Sequence, residues 1–153
     1  MKPIMAAIDF SDVTGAVVDS AIRFAGVFDA DLILLHVADP DPDFVGYGTG
    51  PQSVRDQRAH CYHDEHRRLQ EIEKTVRARE VACSSLLIQG PVAEKILEQA
   101  AQHEADLLVM GSHGHGSLHR LIAGSSTQGV LRKASCPVLV VPSLAQTGPP
   151  PGE

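Results

Sequence analysis

Leu107-Leu108-Val109-Met110-Gly111-Ser112-His113-Gly114 is followed nine residues later by Gly124-Ser125-Ser126, and this stretch decides how the chain is read. The apolar run up to Met110 predicts a strand buried on both faces, because it is continuous rather than alternating. The segment from Ser125 to Ala134 predicts a helix with Val130, Leu131 and Ala134 turned inward, although Gly129 inside it costs about 1 kcal/mol relative to Ala. Glycines at the carboxyl end of a strand, with a hydroxyl pair opening the next helix, suit a phosphate site. Without a Cβ the backbone N–H groups approach an anion closely, and the helix start adds unpaired donors and the positive end of a dipole.

Four more apolar segments share this character: Ile4–Ile8, Asp31–Val37, Ala82–Ile88 and Pro137–Val141. Helical patterns separate them. Ser11 or Asp12 is placed to cap a helix whose apolar side is Val17, Ala21, Phe24 and Phe28. A charged stretch from Val54 to Arg79 carries Leu69, Ile72 and Val76 on one side. Gly90-Pro91 opens the next helix, with Pro91 in its first turn, Glu94 near the favourable dipole end, and Val92, Ile96, Leu97 and Ala100 apolar. Alternating strands and helices predict an α/β fold with a parallel sheet and helices on both faces. Ligands of such sheets bind beyond the carboxyl ends of the strands, where strand order reverses. Asp9 and the Gly111 loop would then line one crevice.

The chain has 153 residues, 43% of them hydrophobic, enough to fill the core of one domain over residues 1–143. Aromatic residues are only 4% with no Trp, so that core is aliphatic. A net charge of −6 argues against a nucleic-acid binder, which needs a basic face. No apolar run reaches the ~20 residues that span a bilayer. The N-terminal run meets Asp9 too early for a secretory signal. Cys61, Cys83 and Cys136 are scattered and odd in number, which predicts reduced thiols and a cytoplasmic protein. Residues 39–53 (DPDPDFVGYGTGPQS) form either a lid over the crevice or a tolerated loop, and the Pro-rich tail 144–153 is predicted to be disordered.

Other phosphate motifs are excluded. A Walker loop needs Lys where Ser117-Leu118 follows Gly116, and a dinucleotide fingerprint needs glycine where His119 stands. No G-x-S-x-G elbow exists to supply a hydrolase nucleophile. The pattern present is Gly-x2-Gly-x9-Gly-Ser, at Gly111, Gly114, Gly124 and Ser125. It resembles the ATP-binding motif of the universal stress protein family, and four further signatures resemble that family in the same order. They are Ile8-Asp9-Phe10-Ser11, Leu35-His36-Val37, Gly90-Pro91 and Cys136-Pro137-Val138-Leu139-Val140-Val141-Pro142.

The resemblance implies an open five-stranded sheet of order 3-2-1-4-5, Rossmann-like, with an adenine-nucleotide site. Asp9 would accept hydrogen bonds from the ribose; the alternative is a cap for the following helix. Backbone groups of Val37 would read the adenine edge, with Ala7 and Ile8 packed nearby; the alternative is plain core. Met110 and Gly111 would lie against the nucleoside, and Gly114, Gly124, Ser125 and Ser126 would hold the phosphates, with turn geometry alone as the alternative for the glycines. ATP is the implied cofactor, with Mg2+ accompanying it and no protein metal ligand assigned.

The histidines have simpler readings. His113, His115 and His119, with Arg120, flank the phosphate loop and read as solvated loop residues able to donate to a phosphate. His60, His63 and His66 beside Cys61 share one helical side, a solvated face before a surface metal site. His36 reads as a satisfied core or crevice histidine, and Cys136 as a small buried apolar group. Segment 136–141 is an apolar edge strand whose pairing with its copy would make a homodimer. Three functions are open: a nucleotide-dependent stress regulator acting on an unidentified protein partner, a slow ATPase, and a nucleotide-independent interaction module.

Overall fold

The computed structural model describes residues 2–38, 52–112 and 124–143, and the side chains of 52–58 are outside that description. Gly114, His113, His115, His119, Arg120, residues 39–51 of the long loop and the tail 144–153 lie outside the described residues. Five strands, β1 (Ile4–Ile8), β2 (Leu32–Ala38), β3 (Cys83–Gln89), β4 (Leu107–Gly111) and β5 (Val138–Val141), alternate with α1 (Thr14–Phe28), α2 (Gln52–Arg77), α3 (Val92–Gln102) and α4 (Ser125–Lys133). The strands form one parallel sheet in the order β3-β2-β1-β4-β5, as the resemblance implies.

Strand alternation divides the core in two. Ile4, Ala6, Ile8, Leu32, Leu34 and Val109 face one way and pack on Val17 and Ala21 of α1 and on Leu69 and Val76 of α2. Met5, Ile33, Leu35, Val37, Leu108 and Met110 face the other way and pack on Ile96 and Ala100 of α3 and Val130 of α4. Because both faces are covered, these strands read as unbroken apolar runs. Strand order reverses between β1 and β4, so the carboxyl ends of β2, β1 and β4 open side by side.

Several expectations are corrected. The buried stripe of α1 is Thr14, Val17, Val18, Ala21, Ile22 and Ala25, whereas Phe24 and Phe28 are exposed and stack on each other with ring centroids 6.2 Å apart. The stripe centres on Ala21 and Ala25, and Phe24 and Phe28 flank it on the solvent side of the helix. Neither Ser11 nor Asp12 caps α1; the N-cap position is Val13, without a side-chain hydrogen bond. Leu131 is exposed rather than inward, since Thr127 and Val130 supply the buried face of α4. Gly90-Pro91 opens α3 as expected, with Pro91 at the N-cap, one position before the first turn. Gly129 has a packing reason: a Cβ there would stand 3.0 Å from the Ala93 Cβ, so the glycine lets α4 approach α3. Gly90 has a backbone reason, with φ +145, and its N–H donates to the Ala38 carbonyl where β3 turns into α3.

Candidate functional site

The residues beyond the strand ends enclose a crevice of about 590 Å³, within the roughly 300–1,000 Å³ usual for small-molecule sites. Ala7, Ile8 and Asp9 line it from β1, Val37 from β2, Met110 and Gly111 from β4, and Gly124, Ser125 and Ser126 from the start of α4. Of the ten residues that the resemblance assigns to the nucleotide, Gly114 lies outside the described residues and the other nine line this cavity.

Local hydrogen bonds explain the convergence. Asp9 Oδ1 accepts the Ser11 N–H at 3.0 Å, which folds the chain tightly after β1 and keeps the carboxylate at the crevice. The carboxylate therefore organises the approach to α1 through a turn, and the cap for the following helix is not formed. Phe10 takes a left-handed conformation with φ 60 to make that turn, which is strained for an aromatic residue. On β2, pairing with β1 ends at His36, so Val37 and Ala38 run past their neighbour and have no β1 residue opposite them. Both residues line the crevice.

The glycine-serine side is equally ordered. The Ser112 N–H donates to the Val141 carbonyl at 2.9 Å, the Gly124 N–H donates to the Ser112 carbonyl at 2.9 Å, and Thr127 Oγ1 donates to the Gly111 carbonyl at 3.0 Å. These bonds fasten the start of α4 to the end of β4. The N–H groups of Ser125, Ser126 and Thr127 precede the first intrahelical acceptor, so the helix itself offers them no partner. Gly124 sits at φ −57 and ψ 161, a conformation open to any residue, so turn geometry does not account for glycine there.

Sequence reasoning missed the opposite wall. The Phe10 and His36 rings pack at a 46° tilt with centroids 4.4 Å apart, and the Arg68 guanidinium lies 4.4 Å over the Phe10 ring. Glu65 and Arg68, three residues apart on α2, both line the crevice, as do Thr14 of α1 and Thr127 of α4. The i, i+3 spacing of Glu65 and Arg68 was visible in the chain, but nothing local says which helix face meets β2. His36 is buried as expected: its Nδ1 lies 2.8 Å from the Ile8 carbonyl oxygen, and its Nε2, with no hydrogen-bond partner among the described residues, lies 3.6 Å from Glu65 Oε1.

The thiols are quiet. Burial, reinforced by the Glu73 carboxylate and opposed by the Arg77 guanidinium, pushes the Cys83 thiol up to about 12. Cys136 is half-buried, and burial raises its thiol as well. His60, Cys61, His63 and His66 lie exposed along α2, and no group of three metal-capable side chains occurs among the described residues.

With this geometry in place, the chain can be set beside known proteins. The family model described as the universal stress protein family matches residues 1–142. The chain belongs to the universal stress protein family. Among the curated relatives of this universal stress protein, one from Thermus aquaticus is 36% identical over 146 residues, covering 92% of this chain and 98% of the relative. Among solved structures, universal stress protein MJ0577 of Methanocaldococcus jannaschii matches with a TM-score of 0.77 at 25% identity, covering 93% of this chain and 96% of that one. A universal stress protein solved in complex with cAMP has the same fold, with a TM-score of 0.67 at 22% identity over 92% of this chain and 96% of that one. Among the described residues of this universal stress protein, no helix is long and apolar enough to cross a membrane.

Proposed function

We propose that this universal stress protein binds an adenine nucleotide, ATP with its Mg2+, in the crevice and acts as a cytoplasmic regulator through partner contacts. The observation that carries the reading is the meeting of three unlike features around one cavity. These are the helix-start donors at Ser125 and Ser126, the Asp9 carboxylate, and the end of β2 at Val37, which runs past β1. Helix-start N–H groups and hydroxyls suit phosphates, a carboxylate suits vicinal hydroxyls, and backbone groups at a strand end suit a planar base with alternating donors and acceptors. Ala7, Ile8, Met110 and Gly111 supply the flat apolar surround, and Gly124, whose backbone needs no glycine, leaves room for a phosphate oxygen. Gly114 would complete the phosphate cradle.

A regulator needs a route from ligand to partner surface, and hydrogen bonds supply one. Ser112, at the phosphate side, donates from its N–H to the Val141 carbonyl and accepts the Ser143 N–H at its Oγ. A nucleotide that shifts Ser112 therefore pulls on the end of β5, the edge strand we assign to homodimer pairing over residues 136–141. The described lining holds hydroxyl and backbone donors with two carboxylates, Asp9 and Glu65, which suits binding and slow turnover at most.

The test is calorimetric titration of protein freed of co-purified nucleotide, using ATP with magnesium, AMP and GTP. Saturable binding with a preference for adenine is expected. Absence of binding by folded protein would overturn the reading in favour of a nucleotide-independent interaction module.

A further inference from the structure

Among the described residues, three of the five exposed large hydrophobic side chains, Phe24, Val27 and Phe28, crowd the end of α1. A single exposed apolar side chain needs no explanation, but a stacked aromatic pair with an apolar neighbour is a patch. An ion pair on the other flank of the helix shows which way the rings face. Asp19 meets Arg79, just past α2, at 2.8 Å. At about 100° per residue, Phe24 and Phe28 stand roughly 140° and 180° round α1 from Asp19, so they face away from α2. α1 packs over β1, β4 and β5, and α2 over β2 and β3, so the aromatic flank overlooks β5, the last strand of the sheet. Leu139 of β5 is half-buried against the same core. α3 and α4 pack on the opposite face, so no described helix covers this side of β5.

The chain itself continues from the end of β5. Ser143 is tied there, its N–H donating to Ser112 Oγ at 3.1 Å, and residues 144–153, LAQTGPPPGE, follow it. α1 joins β1 to the parallel β2, so it runs back from the carboxyl ends of the strands to their amino ends. At about 1.5 Å per helical residue, Phe24 and Phe28 lie roughly 15 and 21 Å down that flank from Thr14. An extended segment of about 3.1 Å per residue that leaves Ser143 and turns back along the flank brings Pro149 to Pro151 roughly 19 to 25 Å from its start. The small excess covers the sideways step from β5 to the helix. Proline rings in this left-handed extended form pack on aromatic faces, and the form asks no backbone hydrogen bond of the surface below it. We propose that segment 144–153 folds back along α1 and seats Pro149-Pro150-Pro151 on the Phe24–Phe28 pair of the same chain. The segment is then ordered by this contact and not by a core of its own. It covers the α1 side of β5 and leaves the outer backbone edge of that strand free for the pairing assigned to the homodimer.

The test uses the full chain with photoreactive benzoylphenylalanine in place of Phe24 and, in a second sample, in place of Phe28, which keeps an aromatic ring at each exposed position. Each sample is an equal mixture of isotope-labelled and unlabelled chains. After irradiation and digestion, cross-linked peptides are read by mass spectrometry and their sites located by fragmentation. Cross-links to residues 144–153 are expected from both positions, always between peptides of the same label. Replacing Pro149, Pro150 and Pro151 together by Ser should remove them, while circular dichroism shows the fold retained. Cross-links that join labelled to unlabelled chains would give the aromatic surface to a second copy and overturn the proposal. The absence of cross-links to residues 144–153 would overturn it as well, as would their survival once all three prolines are replaced.

Discussion

The Gly124 N–H donates to the Ser112 carbonyl at 2.9 Å, which ties the residue entering α4 to the residue leaving β4. The bond matters because it fixes where the α4 donors point. Ser112 is itself held by the Val141 carbonyl, and Thr127 by the Gly111 carbonyl, so the start of α4 is anchored to the sheet independently of any ligand. A site built this way is organised before binding, which lowers the ordering cost of taking up an anion.

Gly124→Ala separates the two possible roles of this glycine. Its backbone conformation, φ −57 and ψ 161, accommodates alanine, so thermal unfolding should change by no more than about 0.5 kcal/mol. ATP affinity should fall by about tenfold or more, because the added methyl intrudes on the phosphate side. A variant that binds ATP with unchanged affinity would remove Gly124 from the site.

Particular residues show how far the chain could be read without its structure. The strands were legible because both faces of the sheet are covered, which leaves Leu32 to Leu35 and Leu107 to Met110 as continuous apolar runs. The glycine-serine motif marked one wall of the crevice because its chemistry is local. The stripe of α1 was misread: from Val17 and Ala21, a step of three leads to Phe24 and then Phe28 as readily as a step of four leads to Ala25. Which path is buried depends on how closely the helix lies on the sheet. Gly129 likewise looked like a weak point in α4 until Ala93 of α3 appeared opposite it. The wall made by Phe10, His36, Glu65 and Arg68 joins three elements far apart in the chain, so no local spacing announces it.

Asp9 serves both the turn and the proposed ribose contact, and two substitutions divide these roles. Asp9→Ala loses the acceptor for the Ser11 N–H and should cost about 1 kcal/mol of stability together with nucleotide binding. Asp9→Asn keeps an oxygen for that N–H and turns an amine toward the crevice, so stability should be retained while ATP affinity falls. Chemical denaturation paired with titration reads the difference. Equal ATP binding by wild type and Asp9→Asn would leave Asp9 with the turn alone.

Gly129→Val tests the approach of α4 to α3. Even the first added carbon would stand 3.0 Å from the Ala93 Cβ, and a branched side chain has no space to rotate away. Overpacking of this kind costs about 1–3 kcal/mol, against a small gain in helix propensity. Because α4 carries Ser125 and Ser126, ATP affinity should weaken along with the denaturation midpoint. Wild-type stability in this variant would show that the helices part freely.

Cys83 predicts an alkaline loss of stability whose sign follows from its surroundings. Its thiol is raised from 9.0 to about 12 by burial first and the Glu73 carboxylate second. Below about pH 9 the thiol is protonated in folded and unfolded chains alike, and burial carries no ionisation penalty. Between 9 and 12 the unfolded chain releases a proton that the folded chain keeps. The unfolded state then binds fewer protons, so stability falls as pH rises through this window. Urea midpoints of wild type and Cys83→Ala, compared from pH 7.5 upward, isolate the effect, since the other titrating groups are common to both. The variant starts less stable from the lost packing, and the gap should narrow steadily above about pH 9. A constant gap would show that the folded thiol ionises as easily as the unfolded one. The same burial predicts that a thiol reagent modifies exposed Cys61 in the native protein and reaches Cys83 only after unfolding.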